Sequence, residues 1–69
     1  MDKLDVINIR KNADKLITVN TAISYGQAVF NAAHKLFPKE TEVLRNTSYD
    51  CYYHDDRVEL FLSQLLKVE

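Results

Sequence analysis

SYGQAVFNAAHKLF, residues 24–37, decides the fold, because it reads as one amphipathic helix with both ends marked. Ser24 stands three residues before Gln27, the spacing of a capping box, in which two side chains satisfy free backbone N–H groups reciprocally. At the other end Pro38 lacks an N–H and pushes Phe37 out of the helical region. Between those marks Tyr25, Ala28, Val29, Ala32, Ala33, Leu36 and Phe37 recur at three- and four-residue spacing, which lines up one broad apolar face. Gln27, Asn31 and Lys35 take the other side. A face this wide needs cover from both ends of the chain, so the flanking segments should fold around it.

Upstream, Val6, Ile9, Ala13, Leu16 and Ile17 recur at helical spacing, and Asp2 and Asp5 suit the positive end of a helix dipole. A helix from Met1 to about Lys15 is favoured over a short strand at residues 5–9, whose apolar positions do not alternate. Residues 17–23 are rich in β-branched side chains and contain Asn20. They predict an extended or irregular connector whose apolar residues pack inward. Gly26, the sole glycine, either admits the close approach of another segment or belongs to a loosely formed first turn. His34 and Lys35 lie near the helix C-terminus, where cationic side chains oppose the negative dipole end.

Downstream, residues 38–45 predict a short second helix with Pro38 at its first position, Glu40 and Glu42 early, and Val43 and Leu44 as buried anchors. Arg45 and Asn46 end it. A loop over residues 47–55 holds three of the four tyrosines. Asp56 and Glu59 have capping spacing for a last helix running to about Lys67, with Val58, Phe61, Leu62 and Leu65 on its inner stripe and Leu60, Leu66 and Val68 widening it. Its antiparallel return onto residues 24–37 is the simplest closure. The fold class is therefore all-α, a compact bundle of three or four short helices. Residues 1–69 make a single domain, to which residues 1–23 add either an integral helix or an arm.

Length and composition narrow the function. A core drawn from 69 residues supplies only about 3–5 kcal/mol of net stability. One cysteine, Cys51, cannot make an internal disulfide, which points to a reducing, cytosolic setting. No stretch approaches the roughly 20 apolar residues that span a bilayer. Residues 1–48 carry seven Lys/Arg against five Asp/Glu, and residues 49–69 carry two against five. A nucleic-acid binder carries a basic excess because phosphate neutralisation supplies its non-specific affinity. The acidic last third hints instead at a basic protein partner or at a solvated helix start.

Reactive side chains cluster only in YDCYYHDDR, residues 49–57. Cys51 and His54 have a spacing that zinc accepts, but a closed site takes four ligands and the chain holds no second cysteine and only His34 besides, so neither a metal nor another cofactor is expected. A Cys–His nucleophile pair needs an orienting group, an oxyanion hole and a cleft. Asp50, Asp55 and Asp56 moreover disfavour a thiolate. Asp55 and Asp56, adjacent on an entering helix, point apart and suit capping better than acid–base work, so no enzyme is expected. Aromatic and acidic residues together do suit protein recognition. Tyr52, Tyr53, Asp55, Asp56 and Arg57 are the candidate partner-binding residues. The competing role for Tyr49 and Tyr52 is a core plug beneath the loop, and for Tyr53 the two readings balance. A helix-turn-helix regulator is the alternative, with Gln27, Asn31, Lys35, Lys39 and Arg45 able to touch bases or phosphates. The two glutamates at the start of its short second helix count against it.

The stretch LRNTSYDCYYHDDRVELF, residues 44–61, resembles small, mostly uncharacterised bacteriophage proteins that place an Arg-x-Thr-x-x-Asp segment before an aromatic, acidic loop and a closing helix. The resemblance covers about the last half of the chain, reaches the central helix weakly, and leaves residues 1–23 outside. It implies a phage or prophage origin and a compact helical domain, and transfers no catalytic residue. The expected function is a non-enzymatic accessory protein, in the cytoplasm of a bacterial host, that binds a host or phage protein.

Overall fold

A computed structural model describes residues 1–68. Four helices, α1 (Lys3–Val19), α2 (Tyr25–Leu36), α3 (Pro38–Leu44) and α4 (Val58–Leu65), follow one another with a 3-10 turn, Asp55–Arg57, leading into the last. The all-α class and the small bundle agree with the sequence pattern, and α1 is an integral helix. Its start is a complete capping box: Asp5 N–H donates to Asp2 Oδ1 (3.1 Å) and Asp2 N–H donates to Asp5 Oδ2 (3.0 Å).

The end of α1 differs from the expectation. Residues 17–19, read as extended, complete the helix, because Ala13, Leu16 and Ile17 continue the inward stripe and tertiary packing overrides β-branched propensity. Thr18 Oγ1 donates back to the Asp14 carbonyl (2.9 Å), and Asn20 N–H closes the last turn on Leu16 (2.9 Å). Asn20 then makes the reversal, its Oδ1 accepting from Ala22 N–H (3.2 Å). Ile17 and Ile23 pack against the core, but Val19 stays 81 % exposed and does not turn inward.

Helix α2 is the centre of the domain. Ala28, Val29, Ala32 and Ala33 are buried as their spacing predicts. Phe30 joins them, and Leu36 turns outward, because α1 covers one side of α2 while α3 and the 3-10 turn close on another. The buried arc is thus rotated from the expected one toward Gly26 and Phe30. Small residues let α1 and α2 lie close, with Ile9 and Ala13 filling the α1 side.

In α3, Thr41 and Leu44 are buried, whereas Val43 is 59 % exposed. Residues three apart share a helix face and adjacent ones do not, so Leu44 brings Thr41 inward and leaves Val43 in solvent. Asn46 leaves α3 at φ 62°, a left-handed conformation that Asn adopts more readily than most residues. Helix α4 ends at Leu65, earlier than Lys67, and supplies Val58, Phe61, Leu62 and Leu65 to the core. Its backbone approaches α3 rather than α2. It reaches α2 through a side chain, the Phe61 ring lying 5.6 Å from that of Phe30. Arg10 ties α1 to α4 through an ion pair with Glu59.

Candidate functional site

The loop from Asn46 to His54 holds its shape through one carboxylate. Asp50 Oδ2 accepts from Asn46 N–H (2.7 Å) and Oδ1 from Tyr52 N–H (2.9 Å), so a single side chain clamps both halves of the turn. Thr47 adds a bond from its hydroxyl to the Leu44 carbonyl (2.7 Å) and accepts from Tyr49 N–H (3.2 Å). The clamped loop then docks on the first turn of α2. Asp55 Oδ1 accepts from Gly26 N–H (2.8 Å), and the Cys51 thiol donates to the Gly26 carbonyl (3.3 Å). A Cβ at position 26 would fall inside the contact distance of the Cys51 carbonyl oxygen and 2.9 Å from Asp55 Oδ1. Of the two readings of Gly26, close approach is therefore the correct one.

The first turn of α2 is consequently capped from two directions. Ser24 Oγ accepts from Gln27 N–H (3.2 Å), but the reciprocal half of the expected capping box is missing. Gln27 instead donates its amide to the Tyr52 hydroxyl (2.8 Å), and Asp55 takes the Gly26 N–H from a distant part of the chain. Asp56 and Glu59 likewise form no box, since no side chain caps α4 and its entry is the 3-10 turn.

Phe30, wholly inside, organises the aromatic surface above it. Tyr52 stands edge-on to it at 5.6 Å, and the Arg45 guanidinium lies over the ring, 5.1 Å from its centroid. Arg45 is oriented by a two-pronged contact with Glu42 (2.7 and 2.9 Å), and His34 Nε2 lies 2.9 Å from Glu42 Oε1. The Arg45 contact, followed by that of His34, lowers the Glu42 carboxyl pKa from its ordinary value. Tyr53 stands edge-on to Tyr52 at 4.8 Å and is 86 % exposed. On one side of it a cleft of about 370 Å³ is floored by Phe30 and edged by Arg45 and Asp50. On the other a cleft of about 200 Å³ is lined by Asn46, Asp50, His54 and Arg57.

The five candidate residues thus separate by role. Tyr53 is the exposed ridge, and Tyr52 is the half-buried plug that supports it. Arg57 lines the smaller cleft. Asp55 and Asp56 are both exposed and line neither cleft, and Asp55 is anchored by its bond to Gly26. Phe30, Arg45 and Asn46 were absent from the sequence-derived site. The available signal for Phe30 was its position one helical turn after the lone glycine. Gln27 and Arg45, two of the five residues suited to a helix-turn-helix, are engaged by Tyr52 and Glu42, leaving Asn31, Lys35 and Lys39.

Cys51 is completely buried. Burial first, then the charge of Asp50, pushes its thiol up to about 12, so it stays protonated and inert while His54 lies in solvent. Among the described residues no three His, Cys, Asp or Glu side chains are grouped to hold a metal ion. No described helix is long and apolar enough to cross a membrane. In comparisons with known proteins, no family model matches the chain, and no curated protein or solved structure is significantly similar to it.

Proposed function

We propose that the chain is a small accessory protein of bacteriophage type that, without catalysis, binds another protein through the surface around Tyr53. The observation that carries this reading is Tyr53 itself, a large aromatic side chain left 86 % exposed on a support that is otherwise fixed. Tyr52 beneath it is held by the Phe30 ring and the Gln27 amide, so little conformational freedom remains to be lost when a partner covers the ridge. Buried tyrosines at the centre of an interface commonly carry a large share of its binding energy, and the polar clefts on either side would form its rim.

The test is a pull-down from nuclease-treated bacterial lysate, with wild-type protein and Tyr53→Ala run in parallel. A discrete protein retained by the wild type and lost with the variant supports the reading. Equal recovery by both removes Tyr53 from the interface, and recovery that disappears with nuclease turns the assignment toward nucleic acid.

A further inference from the structure

The smaller cleft beside Tyr53 has a hydrogen-bonding character that the loop's composition conceals. YDCYYHDDR is acidic, and two of its three carboxylates are engaged as acceptors by the fold while keeping their charge. Asp50 accepts from two backbone N–H groups, one on each oxygen, and Asp55 accepts from Gly26. The donors are not spent in the same way. The ion pairs among the described residues join Arg10 to Glu59 and both His34 and Arg45 to Glu42, so Arg57 takes part in none of them. Arg57 lines the cleft together with Asn46, Thr47, Asp50, Tyr53 and His54.

Resting on the protein-binding reading above, we infer that this cleft receives an aspartate or glutamate side chain of the partner, held by Arg57 with Asn46 and His54, while a neighbouring apolar residue of the partner packs on Tyr53. A guanidinium presents paired N–H groups that match a carboxylate, and a half-buried one forms a stronger bond than a fully solvated one. A chain-terminal carboxylate fits less well, because such groups are captured by free backbone N–H groups. Here those of Asn46, Thr47, Asp50, His54 and Arg57 already donate to nearby acceptors of the chain, which leaves that of Tyr53 alone among the lining residues. A nucleic-acid strand also fits less well, since its affinity comes from many phosphate contacts and Arg57 is the one Lys or Arg lining this cleft among the described residues.

The experiment selects binders of the intact protein from a random linear peptide library, then measures the best peptides against wild type, Arg57→Gln and Arg57→Glu, with folding of each variant followed by circular dichroism. The expected peptides carry Asp or Glu at a fixed distance from an aromatic or aliphatic residue. Arg57→Glu should weaken them about tenfold or more, Arg57→Gln less, and a Glu→Lys peptide should regain affinity for Arg57→Glu, which a merely structural role for Arg57 would not produce. Peptides rich in Lys or Arg that depend on Tyr53 but not Arg57 would overturn the carboxylate site and leave the protein-binding surface standing. Displacement of the acidic peptides by a thymidine homopolymer at low concentration would overturn it in favour of nucleic acid. Failure to obtain any peptide sensitive to Tyr53 or Arg57 would overturn both.

Discussion

Replacing Gly26 with alanine puts a methyl carbon where the Cys51 carbonyl already lies, well inside the 3.0 Å that real Cβ atoms observe. Both obstructing atoms nearest the new carbon are constrained. One is backbone, and the other, Asp55 Oδ1 at 2.9 Å, is fixed by its bond to the same residue's N–H. The loop must therefore retreat by roughly 1 Å to restore ordinary contact. That movement stretches the Asp55 bond of 2.8 Å beyond useful length. Losing a hydrogen bond to a charged group costs about 1.5–3 kcal/mol, and overpacking a tight junction adds about 1–3 kcal/mol. Better helix propensity returns about 1 kcal/mol. The net loss is about 1.5–5 kcal/mol, a large part of the entire stability of a core this small. Urea unfolding followed by circular dichroism measures it directly, with Asn31→Ala on the exposed face of the same helix as the control that should be neutral or slightly stabilising. If Gly26→Ala matches or exceeds wild-type stability, the loop does not press on α2 and the docking geometry is wrong.

Cys51 should resist iodoacetamide at mildly alkaline pH in the folded protein and react readily once the chain is unfolded, as read by mass spectrometry; fast labelling of the native form would contradict its burial. Its raised pKa also sets a sign for stability. The unfolded thiol loses its proton near pH 9.0 while the folded one keeps it to about 12, so stability falls as pH rises through that window, by up to about 1.4 kcal/mol per pH unit. The slope should flatten in Cys51→Ala, and equal slopes would refute the assignment. In α3, Leu44→Ala should cost about 2–5 kcal/mol in thermal or urea unfolding, and Val43→Ala less than about 0.5 kcal/mol; comparable losses at the two positions would mean that α3 is turned about its axis.

Most of the architecture could be read from periodicity. The stripes of α1, α2 and α4 are largely buried, and Ile9, Val29 and Phe61 are where spacing puts them, while Leu36 and Leu60 at the stripe edges stay exposed. What escaped were features set by segments far apart in sequence. Residues 17–19 have local preferences for extended structure, and the helix runs through them on the packing of Leu16 and Ile17 although Thr18 and Val19 stay exposed. Phe30 falls on neither side of α2 in the sequence pattern, because the lone glycine one turn before it is the sole nearby sign that the loop will cover it. The candidate site divides in the same manner. An exposed Tyr53 was one of two readings the loop allowed, and Arg57 is where its sequence neighbours place it. That Asp55 caps α2 was not legible, because its acceptor role depends on an N–H 29 residues away, for which a lone glycine near a helix start was the sole local clue.

The double cap on α2 also divides the labour of two amides. Gln27 N–H is satisfied by Ser24, a neighbour that can close on it as soon as the helix turns. Gly26 N–H belongs to the first turn and has no acceptor within its own helix, so Asp55 alone shields it from solvent. Exchange of that one proton therefore follows the parting of loop and helix, even while α2 stays wound, and its rate relative to the core amides of Val29 and Ala33 gives the free energy of loop docking separately from that of global unfolding. A partner seated on Tyr53 would slow the same proton only if it gripped the loop in its docked form, which makes Gly26 a built-in gauge of whether recognition uses this shape or another.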